Sequence, residues 1–179
     1  MDELQLIEGC KKHKRECQKY LYEKYAQGMY GICIRYAPNI ETAQDLLQDG
    51  FLKVFSVINT YTGKGSFEGW LKRVFVNLAL EHLRKEKNFV SNEEVYNLPD
   101  IAEGENENAG LISEEELMAM VKELPRGYQM VFNLYAIEDF SHKEISEMLN
   151  IAEGTSRSQY IRARQILQDK VREYFKKNS

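Results

Sequence analysis

The stretch YTGKGSFEGWLKRVFVNLALEHLRKEK, residues 61–87, combines a short loop with a predicted helix. Gly63 and Gly65 favour a tight turn in the loop, because glycine accepts backbone angles that other residues resist. After the loop, apolar residues recur at three- and four-residue steps, which predicts a helix from about Phe67 to Lys87 with one buried face. The residues expected on that buried face are Leu71, Val74, Phe75, Leu78, His82 and Leu83.

A second stripe of the same helix is polar and positively charged. A cationic stripe with an amide in its middle suits contacts with phosphates and hydrogen bonds to base edges. An ordinary solvated helix face has a similar composition, so the stripe alone does not distinguish the two interpretations. Its members are Arg73, Asn77, Leu80 and Arg84, with Lys72, Lys85 and Lys87 beside them.

The composition is that of a globular protein with enough apolar residues to form a core. The chain has 179 residues, 43% of them hydrophobic, which fits one large domain or two small ones. No apolar run approaches the roughly 18 residues that span a bilayer, and the acidic N-terminus lacks a signal-peptide core. We therefore expect a cytoplasmic protein.

Charge is distributed unevenly along the chain. Residues 1–87 hold 14 Lys and Arg against 11 Asp and Glu, whereas residues 88–120 hold nine Asp and Glu and no Lys or Arg. The last 59 residues are again slightly basic. The segment around residues 91–112 has the charged, Asn- and Gly-rich composition of a flexible linker. We predict an N-terminal domain at 1–90, an acidic linker at 91–112 and a C-terminal domain at 113–179.

A helix is predicted from about Ile40 to Val57, with Asn39 as its N-cap. Its expected core face contains Leu47, Phe51, Val54 and Phe55, and Asp45, Gln48 and Asp49 lie together on another side. This patch suits a basic partner surface, although a solvated face has the same pattern. Two carboxylates also suit acid–base catalysis. The sequence offers no nucleophile, metal cage or phosphate-binding loop beside them, so we predict no enzymatic activity and no cofactor.

The C-terminal part carries the pattern of a helix-turn-helix. Capping boxes begin at Ser113 and Ser141, and the second box opens a short helix that ends in a tight turn at residues 150–154. A longer helix is predicted from about Thr155 to Lys176, and its early residues would enter a DNA major groove. A helical hairpin without a DNA role is the alternative. The candidate base-reading residues are Arg157, Ser158, Gln159, Arg162 and Arg164.

The cysteines offer a weaker candidate site. Cys10, His13 and Cys17 are spaced so that they would share one face of a helix. A zinc or redox site there would need a fourth ligand, and none is evident nearby. We expect packing of small residues instead, and stoichiometric metal in the purified protein would contradict this expectation.

Without any strand pattern, the chain is predicted to be all-α, with two small helical domains joined by a flexible acidic linker. In the order and spacing of its segments it resembles the extracytoplasmic-function (ECF) sigma factors of bacterial RNA polymerase. The segments that carry this resemblance are residues 45–55, 65–71 and 77–84, Leu124-Pro125 with the apolar residues after it, and the helix-turn-helix between Ile145 and Arg164.

The resemblance implies three binding surfaces. Asp45, Gln48 and Asp49 would bind core RNA polymerase, and the early part of the last helix, from Arg157 to Arg164, would contact the minus-thirty-five element as duplex DNA. The loop at Tyr61 and the helix after it would contact and melt the minus-ten element, with Tyr61 and Phe67 forming a pocket for a flipped base. The residues expected at the minus-ten element are Tyr61, Lys64, Ser66, Phe67, Arg73, Asn77 and Arg84.

The expected partners are therefore core RNA polymerase, promoter DNA and an anti-sigma factor, commonly a membrane-bound one, with no small-molecule substrate. The acidic linker would lie in the basic polymerase channel that otherwise contains RNA. Three residues depart from the family pattern and affect the expected DNA preference: Ser156 where an apolar residue is usual, Gln159 where a basic one is, and Tyr160 where an aliphatic one is. The main alternative is a free-standing helix-turn-helix regulator, which leaves the Asp45 patch without a role.

Overall fold

A computed structural model describes residues 1–85 and 112–178 of the chain, and no strand occurs within them. The chain divides into two compact units, Met1–Phe89 and Val90–Ser179. The predicted linker lies outside the described residues except at Ile112. The helices are α1 (Glu3–Lys11), α2 (Arg15–Tyr36), α3 (Ile40–Val57), α4 (Phe67–Lys85), α5 (Glu114–Lys122), α6 (Arg126–Phe132), α7 (His142–Leu149) and α8 (Glu153–Lys177).

Two short helical turns complete the described structure. A 3₁₀ turn at Ile58–Thr60 follows α3, and a π-helical turn at Asn133–Ile137 follows α6. The helical content and the helix-turn-helix formed by α7 and α8 confirm the prediction of an all-α fold. No helix in the described part of the chain is long and apolar enough to cross a membrane.

The predicted helix caps are present. The Asn39 side chain accepts a hydrogen bond from the Thr42 amide at 2.8 Å and begins α3. Ser113 and Ser141 each form a reciprocal capping box with the glutamate three residues later. Each box satisfies amide groups that the first turn of a helix leaves without a partner. Local sequence therefore decides where these helices begin.

The buried face of α4 contains Leu71, Phe75 and Leu83 as predicted, but it is wider than the predicted face. Val76, Ala79 and Leu80 are buried, whereas Val74, Leu78 and His82 are half-buried. The reason is that α4 packs against both α2 and α3, so its buried surface is wider than a single apolar stripe. Within α3, Leu46 is buried more deeply than Leu47 and Phe55 for the same geometrical reason.

The core of the C-terminal unit joins α5, α6 and α8. It contains Val121, Leu124, Tyr128, Ala163 and Leu167. At the surface, Lys170 Nζ of α8 lies 2.6 Å from a carboxylate oxygen of Glu123, just after α5. Helix α8 begins at Glu153, two residues before the predicted start.

The cysteine prediction needs a correction. Cys10 lies in α1 and Cys17 in α2, and His13 lies exposed in the turn between these helices with a positive φ of 56°. The three residues therefore do not share a helix. Both thiols are buried, and burial raises the pKa of Cys10 to about 11. Among the described residues, no group of three or more His, Cys, Asp and Glu side chains is placed to bind a metal ion.

Candidate nucleic-acid interface

The first predicted surface lies on α3. Asp45, Gln48 and Asp49 are all exposed and stand within one turn of each other. Leu52, one turn further along, is 68% exposed although it is a large apolar residue. Sequence analysis missed Leu52, which lies outside the apolar register of the helix and can be identified by that fact. Carboxylates beside an exposed leucine form the mixture of polar and apolar groups typical of protein docking surfaces.

The loop before α4 has a fixed conformation. Gly63 and Gly65 have positive φ angles of 81° and 75°, which other residues adopt with strain. The hydroxyl of Tyr61 donates a hydrogen bond to the Gly65 carbonyl at 2.8 Å and so closes the loop. Ser66 Oγ accepts from the Gly69 amide at 3.0 Å at the start of α4. Lys64 and Ser66 consequently lie exposed on a pre-formed turn.

The aromatic residues around this loop are part of the core. Phe67 is completely buried, with its ring centroid 5.8 Å from that of Tyr25 and 5.6 Å from that of Trp70. Tyr61 is 9% exposed and packs edge-on against Phe67. A base pocket with the Phe67 ring as a wall would require this ring to leave the core, and such a pocket stays a prediction. Trp70, whose ring packs on those of Phe67 and Tyr61, is half-buried and therefore more exposed than either.

The outer face of α4 agrees with the predicted polar stripe, with one exception. Arg73, Asn77 and Arg84 are exposed at helical spacing. Leu80, placed on this stripe by its spacing, is 2% exposed and belongs to the core. Beside the stripe, Lys85 lies 3.1 Å from Glu81, and this contact holds the pKa of the Glu81 carboxyl below its ordinary value. Lys72 and Glu68 form a similar pair at 3.3 Å.

The third predicted surface is the early part of α8. Arg157, Ser158 and Arg164 are exposed, whereas Gln159 and Arg162 are half-buried. Gln159 faces α6. The nitrogen of its side-chain amide would lie 3.5 Å from a Cβ atom added to Gly127 of that helix. Arg157 Nη2 lies 2.6 Å from Glu153 Oε1, one turn before it.

Ile161 belongs to the same face and was missed by sequence analysis. It follows Arg157 and Ser158 at four- and three-residue steps and is 56% exposed. An apolar side chain on a major-groove helix can contact the methyl group of thymine. Its position in the donor stripe, rather than in the apolar stripe, is the signal that could have identified it.

Polar and aromatic side chains join α7 to α8 behind this face. His142 Nδ1 lies 2.8 Å from Ser156 Oγ, and the Tyr135 ring stacks on the His142 imidazole with a centroid distance of 4.2 Å and an interplanar angle of 9°. The pKa of His142 lies below its ordinary value of 6.5, mainly because burial disfavours the charged imidazolium and further because Arg157 is nearby. The Glu153 carboxylate acts in the opposite direction.

The sequence matches two protein families, one over each part of the chain that carries these surfaces. Residues 21–89 match "Sigma-70 region 2", and residues 114–167 match "Sigma-70, region 4". The first match contains the α3 patch, the loop and α4. The second contains the helix-turn-helix and the start of α8. Together the two matches cover most of the chain.

Similar sequences cover nearly the full length. The chain is 25% identical to the ECF RNA polymerase sigma-E factor of Haemophilus influenzae over 93% of each protein. It is 26% identical to the ECF RNA polymerase sigma factor SigW of Bacillus subtilis, over 93% of this chain and 95% of that protein. It is 32% identical to SigE of Mycolicibacterium smegmatis, over 83% of this chain and 59% of that protein.

Solved structures share the fold. The sigma factor RpoE of Bartonella quintana, solved with the anti-sigma factor NepR, has a TM-score of 0.59 at 19% identity, covering 86% of this chain and 96% of that one. CnrH, solved with the cytosolic domain of CnrY, has a TM-score of 0.56 at 15% identity, covering 94% and 96%. The ordered pair of sigma-70 regions, the full-length similarity and the shared fold lead to one conclusion: this chain belongs to the ECF-type sigma factors of bacterial RNA polymerase.

Proposed function

We propose that this sigma factor binds core RNA polymerase through α3 and promoter DNA through the loop at 61–66, α4 and α8. One observation carries this assignment: each surface presents exposed polar side chains on a helix whose other faces are buried in a compact unit. In this proposal a domain at 1–90 would bind polymerase and the minus-ten element, and a domain at 113–179 would bind the minus-thirty-five element. Residues 91–112 would connect them through the polymerase channel.

The α3 surface suits a basic partner helix. Asp45 and Asp49 supply two carboxylates and Gln48 supplies an amide. Leu52 supplies an apolar contact beside these polar groups. Such charge complementarity accelerates encounter and fixes the register of docking, and a buried apolar anchor slows dissociation. We infer that Leu52 is the apolar anchor of the polymerase contact.

The loop and α4 suit the minus-ten element as an opened strand. Lys64 and Ser66 lie on the loop, and Arg73, Asn77 and Arg84 extend along the helix from it. Cationic groups can follow the phosphates while the Asn77 amide is able to hydrogen-bond with a base edge. Binding energy for the single strand then favours melting, and no nucleotide hydrolysis by this chain is required. The protein accordingly acts as a binding factor and not as an enzyme.

The start of α8 suits the minus-thirty-five element as duplex DNA. Arg157 and Ser158 supply donors near the beginning of the helix, and Ile161 supplies an apolar contact on the same face. In a helix-turn-helix, the N-terminal residues of the second helix face the base edges. Arg164 is placed one turn further and would contact the phosphate backbone.

Regulation by a protein partner is consistent with the similar structures. RpoE was solved with the anti-sigma factor NepR, and CnrH with the cytosolic domain of CnrY. By analogy, an anti-sigma factor, membrane-anchored or free, would cover the α3 or α8 surface of this chain. Because polymerase and promoter DNA are its partners, the chain would act in the cytoplasm.

Site-specific cross-linking tests this assignment. A photoreactive amino acid is placed at Asn77 or at Ser158 of the full chain, which is then bound to core polymerase and a promoter fragment. We expect Asn77 to cross-link to one strand near the minus-ten element and Ser158 to cross-link to duplex DNA near the minus-thirty-five element. The matched control is Glu23, an exposed residue of α2 outside all three surfaces. Cross-links from Glu23 as strong as those from Asn77, or exchanged positions for Asn77 and Ser158, would contradict the assignment.

A further inference from the structure

The hydrogen bond between His142 and Ser156 joins the two helices of the helix-turn-helix. His142 is the first residue of α7, and Ser156 lies in the first turn of α8. Their atoms Nδ1 and Oγ are 2.8 Å apart, and Ser156 has no exposed surface. A hydroxyl buried without a partner is costly, so this bond satisfies a group that would otherwise oppose the packing of α8 on α7.

The imidazole of His142 is itself fixed by an aromatic neighbour. The Tyr135 ring, in the π-helical turn after α6, lies almost parallel to it at 4.2 Å. Tyr160 then packs on Tyr135 with a centroid distance of 4.5 Å. Tyr160 lies on α8, four residues after Ser156, so both residues point to the same side of that helix. The four side chains therefore form a series of contacts that begins at Ser156 and ends at Tyr160, both on α8.

Ser156 and Tyr160, the two ends of this series, lie on α8 and are joined through His142 and Tyr135. Apolar packing tolerates small rotations of one helix on another, because it has little directional preference. A hydrogen bond weakens steeply when its angle changes, so it fixes the rotation more narrowly.

We propose that His142 is a positioning residue that sets the rotation of α8 through Ser156, and thereby the placement of the base-reading residues Arg157, Ser158 and Ile161. Arg157 and Ser158 follow Ser156 directly in the chain, so a rotation at Ser156 moves both of them. This inference rests on the proposed function, in which the same face of α8 contacts the minus-thirty-five element. Beyond that function, the inference states that discrimination between DNA sequences depends on His142, which acts through Ser156 and not through a contact with a base.

Two substitutions of His142 separate its two contacts. His142→Phe keeps a ring for stacking on Tyr135 but removes the ring nitrogen that shares a hydrogen bond with the Ser156 hydroxyl. His142→Asn removes the ring but places a side-chain amide, which can accept or donate a hydrogen bond, close to where Nδ1 lies. Ser156→Ala removes the hydroxyl from the other side. The matched control is Ser146→Ala in α7, where the hydroxyl bonds to the Lys143 carbonyl of its own helix at 2.7 Å.

The measurement is the ratio of affinities of the holoenzyme for promoter duplexes with a matched and a scrambled minus-thirty-five element. We expect Ser156→Ala and His142→Phe each to reduce this ratio about fivefold, the equivalent of one ordinary hydrogen bond, while binding to the scrambled duplex is unchanged. His142→Asn should retain most of the ratio, as should Ser146→Ala. Combining Ser156→Ala with His142→Phe should add little, because the two residues act through one bond.

Several results would overturn the proposal. If Ser156→Ala and His142→Phe keep the wild-type ratio of affinities for the two duplexes, the bond contributes only to stability, even where the melting temperatures are lower. Equal losses for His142→Phe and His142→Asn would assign the effect to general disruption. A wild-type holoenzyme that binds both duplexes equally would refute minus-thirty-five recognition itself, and the positioning role with it. This last result is obtained with the wild-type protein alone, so failure of the proposed function can be distinguished from failure of the positioning role.

Discussion

Gly50 of α3 lies directly against the ring of Phe75 on α4, with no room for even a Cβ atom between them. Phe75 is 2% exposed and also packs edge-on against Phe51 at 5.2 Å. Gly50 follows Asp49, so the closeness of the two helices fixes the part of α3 that presents the proposed polymerase surface. The glycine thus connects core packing to the placement of Asp49 in the proposed polymerase surface.

We predict that Gly50→Ala destabilises the N-terminal unit by about 1–3 kcal/mol, because the added methyl group would overpack the contact with Phe75. Fluorescence of Trp70, the single tryptophan, reports on this unit during urea unfolding. The matched control is Gly28→Ala, since Gly28 also lies inside a helix but has open space around its Cα. Gly28→Ala should stabilise the unit by about 0.5–1 kcal/mol. The same sign of change for both substitutions would contradict this account of Gly50.

Reversal of charge on the α3 patch should weaken polymerase binding. We expect Asp49→Lys to raise the Kd for core RNA polymerase about tenfold or more, because a lysine would face a basic partner across the interface. Competition binding against a labelled wild-type chain provides the measurement. Glu23→Lys, the same change on an exposed position of α2, serves as the control and should leave the Kd unchanged. Equal affinities for Asp49→Lys and the wild type would remove α3 from the interface.

Truncation of Ile161 should relax the DNA preference without affecting the fold. Ile161→Ala removes the apolar group proposed to contact a thymine methyl, and we expect about a fivefold loss of affinity for the matched minus-thirty-five element. The side chain is 56% exposed, so the melting temperature should stay close to that of the wild type. Ile34→Ala, on an exposed isoleucine of α2, is the control. An unchanged preference in a holoenzyme binding assay would exclude Ile161 from base reading.

The stability of the C-terminal unit should depend on pH through His142. Its folded-state pKa is below the ordinary 6.5, because burial and Arg157 disfavour the imidazolium, so the unfolded chain binds the proton more readily. The contribution of His142 is therefore complete above pH 6.5 and is lost as pH falls through the folded-state pKa. Urea unfolding on both sides of pH 6.5 should show a smaller pH effect in His142→Asn. NMR titration that places the His142 pKa above 6.5 would reverse the sign and refute this prediction.

Sequence predicted the helices well where local chemistry decides them. The caps at Asn39, Ser113 and Ser141 depend on groups three residues apart, and all three are present. The burial of Leu80 and Phe67 was not predicted correctly, because it depends on which neighbouring helices pack against α4 and not on the period of α4 itself.

The candidate site shows the same division. Exposure of the predicted polar residues of α3 and α4 follows from helical spacing, whereas on α8 Gln159 and Arg162 are half-buried. The contact between His142 and Ser156 joins residues 14 positions apart, and no local periodicity indicates such a pair. Leu52 and Ile161 were missed for another reason: sequence analysis sought binding residues among polar side chains, whereas these two are apolar residues at exposed positions.

Transcription in vitro tests the central claim most directly. Core RNA polymerase from a related bacterium is incubated with genomic DNA, with or without the full chain, and the 5′ ends of the transcripts are mapped. We predict new start sites that require this chain and share two spaced upstream motifs. Sequence-specific DNA binding without polymerase binding and without new start sites would contradict this account, and would instead indicate a free-standing helix-turn-helix regulator.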